Sequence, residues 1–380
     1  MNPGSERVER LWAVDALRGL LLVLMALDHA NLFIARHHSS GEYWGGPFPA
    51  YKSALPFLVR FVTHLCAPGF FVLMGAGMAL LSRARRRQGW TVWAVTRHFL
   101  LRGLLLMALQ LLVINRAWEL LPGGWGIQLY VGVLFALGGT MILGSVLWGL
   151  KPAYLLALAG LLTIGTELLA PHPDQWGTEM GVLRLVWLVP GGRHLWDGGP
   201  WLWVNYPILP WLELVVLGLA FGGWLAKDAR RAYRRGLVIG VGCLAAFALV
   251  RSLGGFGNLR PPMGDTWIDW LNVVKYPPSI AFTLLTLGLN GALLWLLARL
   301  GPLGQRAARP LAVVGRAPLF FYAAHLLVYL ALGYLLAPQG TSIPRMLPLW
   351  LLGLLILYPL CRWYARLKQR QPARSLLRLF

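Results

Sequence analysis

The sequence is short of charge, and shortest of acid. Only 13% of its 380 residues are charged, and 14 Asp and Glu stand against 35 Lys and Arg. A soluble domain carries about 25% charged residues, so half that fraction cannot coat a water-facing globule of this size. With 57% hydrophobic residues and a mean hydropathy of +0.60, the chain reads as a membrane protein. The net charge of +21 would suggest nucleic acid in a soluble chain. Here the basic residues cluster between apolar runs, where the positive-inside bias puts them, and no nucleic-acid partner is expected. Cysteine is scarce as well. Cys66, Cys243 and Cys361 lie far apart inside apolar stretches, which excludes a disulfide framework and a metal knuckle. There is no zinc-ligand spacing, nucleophile elbow, Gly-rich phosphate loop or dinucleotide fingerprint, and no metal is expected. No internal repeat of the kind common in transporters is visible. The first apolar run contains Asp15 and Arg18 and lacks a small-residue cleavage site, so it should stay in the membrane as a span.

What the chain does have is a series of apolar windows. A helix needs about 20 apolar residues to cross the hydrocarbon, and ten windows qualify: roughly 11–35, 55–81, 92–114, 128–149, 152–170, 207–226, 235–252, 277–298, 311–336 and 346–366. The expected fold is therefore all-α, a single polytopic transmembrane domain over residues 1–380 with about 10 (10–11) spans. Connections are mostly short. The exceptions, 36–54, 171–206 and 253–276, are rich in Gly, Pro, Trp and Asn and read as ordered loops or re-entrant pieces. With an inside N-terminus, the alternating segments on the cytoplasmic side hold 22 Lys and Arg and those on the other side 9. That segregation fits two cytoplasmic termini, and it sends the three long loops outward, where loop-built function would sit.

Ionisable groups inside a span cost several kcal/mol, which makes each a functional hypothesis. The first window carries Asp15, Arg18, Asp28 and His29. At 100° per residue, Arg18 and His29 fall within about 20° of each other, and Asp15 within about 40° of His29. One stripe thus holds all three, with Arg18 and His29 about 16 Å apart along the axis. Asp15 and Arg18 could equally form a structural pair at the cytoplasmic interface. The second window places Arg60 and His64 one turn apart, with Pro68 allowing a kink beyond them. The Gly75–Gly77 stretch reads as close helix packing. His325 lies within the ninth window, as buried glue between helices or as a site residue, and Glu213 is expected to pair with an arginine. Arg97 and Arg102 face the cytoplasm at the start of the third window and could hold phosphates. His37 and His38 follow the first helix in its outer loop. The run Arg83, Arg85, Arg86 and Arg87 reads as a patch for anionic membrane lipids.

A histidine sunk in a bundle is suited to take a proton from a hydroxyl or amine. Arginines three turns nearer the cytoplasm suit an anionic carrier, because a guanidinium grips phosphate bidentately. Together they describe transfer from a phosphorylated donor to an acceptor met on the far side.

The opening RLWAVDALRGLLLVLMALDH resembles the first helix of polytopic acyl-CoA-dependent acyltransferases, both the heparan-α-glucosaminide N-acetyltransferase-like proteins and the polysaccharide O-acyltransferases. An arginine, ten residues and a histidine mark the latter, matched here by Arg18 and His29. FVTHLCAPGFFVLMG, YPILPW, KYPPSIAFTLLTLG and VVGRAPLFFYAAHLLV resemble the bacterial branch of the N-acetyltransferase-like group, so the likeness covers nearly the whole chain. It implies acetyl-CoA as co-substrate, a sugar or glycan acceptor, a bacterial cytoplasmic (inner) membrane location, and a second copy of the chain as a candidate partner. It implies His29 as general base and Arg18 as a helper in acyl-CoA binding. In the lysosomal relatives the working histidine comes later, which points to His37 or His38.

The expected function is acetyl or short acyl transfer from cytoplasmic acyl-CoA to a sugar amine or hydroxyl outside. Its candidate residues are His29, Asp28 and His64 for chemistry, Arg18, Asp15, Arg97 and Arg102 for the donor, and His37, His38, Arg60, Lys275 and His325 for the acceptor. His64 or Lys275 would stabilise the oxyanion. A transporter or flippase using Asp28, His29, His64 and Glu213 as a proton or substrate path is the alternative.

Overall fold

Backbone inside a bilayer must satisfy its own hydrogen bonds, and this chain does so with helices. The computed structural model describes residues 3–39, 41–121, 124 and 126–371. Among them, nine helical segments are long and apolar enough to cross a membrane. In order, α1 (Pro3–Ala30) runs on through a π-helical turn (Asn31–Ala35), α2 (Ala54–Thr63) and α3 (Cys66–Arg87) form one broken span, and α4 (Val92–Leu109) continues through a second π-helical turn (Gln110–Ile114) into α5 (Asn115–Glu119). Then come β1 (Leu129–Val131), α6 (Val133–Gly144), α7 (Pro152–Leu169), α8 (Val182–Trp187), β2 (Gly191–His194), β3 (Trp201–Val204), α9 (Ile208–Leu225) and α10 (Ala229–Leu253). The rest of the chain forms α11 (Trp267–Leu271), α12 (Ile280–Arg299), α13 (Pro302–Ala307), α14 (Arg309–Gly315), α15 (Pro318–Leu336) and α16 (Ile343–Arg370).

The window expected as a span over 128–149 takes a different form. Its helix, α6, has 12 residues, about 18 Å at 1.5 Å per residue, too short to cross alone. It lies antiparallel to α4: Thr96 donates to the Ser145 carbonyl at 3.2 Å, a side chain at Gly103 would meet Gly138, and the Leu134 N–H donates to Gln110. The apolar residues before α6 belong to β1, which pairs in parallel with β3, while β2 pairs antiparallel on the other side of β3. A short apolar strand and a short apolar helix in succession have the same composition as one span.

Proline sets two helix ends. Pro68 has no N–H for the carbonyl four residues back, that of His64, and its ring crowds that carbonyl. The helix accordingly breaks between Thr63 and Cys66, so the kink expected at Pro68 falls one turn earlier and puts His64 at the break. Pro318 pushes Ala317 out of the helical region (φ −125°, ψ 51°), which separates α14 from α15 inside the window 311–336.

Glycine fixes two close crossings. A Cβ at Gly75 would lie 2.1 Å from the Val215 carbonyl oxygen, and one at Gly218 2.1 Å from that of Val72, so α3 and α9 pack backbone to backbone at Gly75 as expected, whereas a Cβ at Gly77, expected to pack likewise, would meet nothing within 4 Å. A Cβ at Gly315 would lie 2.0 Å from the Asp15 carbonyl oxygen, which brings α14 against α1 beside Arg18.

The three long loops fold over one end of the bundle. Trp44, Val131, Val189, Leu202, Val204 and Val274 bury a small core there. Glu167 accepts from the backbone N–H groups of Gly257, Leu259 and Ile280, and Arg251 donates to the carbonyls of Asp269, Trp270 and Asn272. These charge-assisted bonds tie residues 257–280 down against α7 and α10.

Candidate functional site

Two cavities inside the bundle share part of their lining. One, about 350 Å³, lies under the looped cap and is lined by Asp28, His29, His38, Arg60, Thr63 and Lys275, together with an aromatic wall that includes Tyr43, Trp118, Tyr130, Trp203, Tyr206 and Tyr276. The other, about 300 Å³, lies towards the opposite end of α1 and is mostly apolar, with Arg18 and Arg102 among its lining. Phe70, Val133 and Tyr322 line both.

In the capped cavity, the end of α1 presents His29 to α15. His325 Nδ1 lies 2.9 Å from the Phe321 carbonyl oxygen, which can only accept, so Nδ1 carries the proton and Nε2 a lone pair. His29 Nδ1 is 2.5 Å from that Nε2 and must then be the donor. With His29 in its neutral form, the tautomers assigned by this chain of bonds put the lone pair on Nε2, which has no hydrogen-bond partner among the described residues. Phe33 and Trp118 stand edge-on around the ring. In its neutral form, an imidazole with this tautomer on a cavity wall can accept a proton there.

Next to it is a buried ionic network. Arg60 donates from Nε and Nη2 to the two oxygens of Glu42 at 2.6 and 2.8 Å, and from Nη1 to Asp28 at 2.8 and 2.9 Å. Thr63 also donates to Asp28, and His38 Nε2 is 3.2 Å from Asp28 Oδ2. His64 Nε2 is 3.4 Å from Glu42 Oε1. Burial alone would raise the Glu42 carboxyl, but Arg60 outweighs it and holds the group well below the usual carboxylate range. Burial pushes the Tyr43 hydroxyl upward, and this hydroxyl donates to Asn205 at 2.5 Å.

The structure brings together Asp28, His29, His38, Arg60, Lys275 and His325. It places others elsewhere. His64 stands behind Arg60 and Glu42 rather than on the cavity wall. His37 is exposed and Arg97 is exposed, and neither lines a cavity. Asp15 pairs with Arg18 at 2.9 Å and with Arg316 at 3.4 Å, and Arg18 also donates to the Gly315 carbonyl. Arg18 thus keeps two of its three guanidinium nitrogens for other partners, and no ion pair holds Arg102 among the described residues. Glu213, expected to pair with an arginine, accepts instead from Thr283 at 2.8 Å, because α12 presents a hydroxyl at that level. Glu42, Thr63 and Asn205 were not singled out from the sequence. Glu42 is the one acidic residue in loop 36–54, which is the signal that could have marked it.

The class of protein so defined is a polytopic membrane helix bundle with a polar, histidine-lined cavity. The family follows from a direct comparison: the model of the heparan-alpha-glucosaminide N-acetyltransferase catalytic domain matches residues 10–246, and the chain belongs to this family. The match takes in Arg18, His29, His38, Glu42, Arg60 and Arg102 and stops before Lys275 and His325. No curated protein matches the chain.

Proposed function

We propose that the chain is an acetyl-CoA-dependent acetyltransferase of a bacterial cytoplasmic membrane, taking the acetyl group from a donor on the cytoplasmic side and passing it to an amine or hydroxyl of a sugar on the other. The observation that carries this reading is the pair of cavities sharing Phe70, Val133 and Tyr322. Arg18 and His29 stand on one unbroken helix, eleven residues and about 16 Å apart, a separation comparable to an extended pantetheine arm. Phosphates gripped near Arg18 and Arg102 would place a thioester near His29. The aromatic wall offers ring faces to a sugar.

His29 Nε2 accepts the proton of the acceptor as its nitrogen or oxygen attacks the thioester carbon. The new bond to that carbon forms, the C–S bond breaks, and the proton returns from His29 to the leaving sulfur. His325 holds the ring and its tautomer. A second reading rests on the Asp28–His38 contact: Asp28 would orient His38, and His38 Nδ1 would take the proton instead.

The donor half of this reading is tested by calorimetry in detergent. Arg102→Ala should weaken acetyl-CoA binding about tenfold to a hundredfold, the loss of one charge-assisted contact worth about 1.5–3 kcal/mol, and Arg18→Ala similarly. Arg97→Ala, off the cavity, should leave affinity within about twofold. Equal affinities in all three variants would remove the donor from the Arg18 cavity.

A further inference from the structure

A third cavity takes no part in the reaction proposed above. It is an apolar slot of about 340 Å³, walled mainly by α7, α9, α10 and α12. Its lining on α12 runs from Ile280 through Leu287 to Leu294, fourteen residues or about 21 Å of helix. That exceeds the roughly 15 Å of hydrocarbon in one leaflet, half of a ~30 Å core. Leu156 and Ile239 line the slot and are 39% and 48% exposed, and a Cβ at Gly160 would meet nothing within 4 Å, so the slot is open to the surroundings of the bundle along α7 and α10. Its length and character suit a hydrocarbon chain.

One end of the slot is charged. Trp224 lines it, and the Arg235 guanidinium lies over the Trp224 ring, 5.6 Å from the centroid. Arg231, Arg234 and Arg235 line a recess on α10 that shares Ile239 with the slot. Asp228 pairs with Arg231 at 3.3 Å, and among the described residues no ion pair holds Arg234 or Arg235. These arginines stand in the first turns of α10, at the other end of the helix from Arg251, which is tied into the cap. A topological bias accounts for basic residues at that level, but not for their junction with an apolar slot.

We propose that slot and recess together bind one anionic phospholipid of the leaflet at the uncapped end, with its phosphate on Arg234 and Arg235 and one acyl chain in the slot. Two guanidiniums that no carboxylate claims stand side by side for the phosphate, and a tryptophan marks the boundary between the polar and apolar parts. A second copy of the chain would bring its own basic segments to the same depth, which disfavours it as the occupant. Selectivity then rests on the headgroup, and retention on the fit of the tail.

The test is native mass spectrometry, with thermal unfolding, of the full-length protein in detergent after addition of phosphatidylglycerol, phosphatidylcholine or glycerol phosphate. Phosphatidylglycerol should be retained at one molecule per chain, about tenfold in preference to phosphatidylcholine, and should raise Tm; glycerol phosphate should do neither. Arg234→Gln combined with Arg235→Gln should lower phosphatidylglycerol affinity about thirtyfold. Gly160→Leu fills the slot from a position where leucine is the better helix former, so it should fold and yet lose the lipid with every arginine in place. Equal retention of the two phospholipids overturns the proposal, as does phosphatidylglycerol held equally well by Gly160→Leu. Stabilisation by glycerol phosphate alone would give the arginines to a free anion, a lipid-free dimer would give the slot to a second copy, and either result overturns it too.

Discussion

Replacing His29 with alanine should lower the turnover of acetyl transfer by about 10²- to 10⁴-fold, the range that a positioned general base contributes, while acetyl-CoA affinity stays within about twofold. The two effects separate because His29 and the arginines proposed to hold the phosphates line different cavities. His29→Gln should fall nearly as far, since an amide retains hydrogen bonding to His325 but cannot carry the proton. His325→Phe should cost less, because it removes the group that orients His29 and leaves the imidazole itself in place. Steady-state kinetics on the three variants and on His38→Ala decide between the two histidines. Near-normal turnover in His29→Ala with collapse in His38→Ala would assign the proton to the Asp28–His38 pair.

Removing the charge of Arg60 should be the most damaging change to the fold. Arg60 is 2% exposed and Glu42 fully buried, and breaking one partner of a buried pair costs about 3–5 kcal/mol because the other charge is left uncompensated. Arg60→Met strands Glu42 and weakens the hold on Asp28 together, and thermal unfolding in detergent should show a marked fall in Tm. The pH dependence should also change sign. In the native protein the lowered Glu42 carboxyl contributes stability above its unfolded pKa that is lost as pH falls. In Arg60→Met, burial is unopposed, the Glu42 carboxyl rises, and its neutral form is favoured, so the variant should be more stable at pH 5 than at pH 8. Replacing Glu42 by Gln in the same variant should recover part of the loss. Indifference of Tm to Arg60→Met would show that the network is not a keystone of the cap.

The spans were legible because they rest on composition and length, which a single sequence carries in full. Where a span is assembled from parts, that reading fails: β1 and α6 together looked like one helix over 128–149. In the site, residues on one helix could be placed by angle, so Arg18 and His29 were aligned from spacing alone. Partners far apart in the chain could not. His29 meets His325 across 296 positions, and Arg60 meets Glu42 through a loop with no periodicity to orient it. Glu213 shows the same limit in reverse, since a buried carboxylate asks for a donor but does not say whether a guanidinium or the Thr283 hydroxyl will supply it.

The most direct test of the central claim is transfer across a sealed membrane. Inside-out vesicles holding the wild-type protein, loaded with an aminosugar acceptor and given radiolabelled acetyl-CoA outside, should accumulate acetylated sugar within, and His29→Ala vesicles should not. Label that appears only when donor and acceptor share one side, or acceptor that crosses the membrane unmodified, would contradict it.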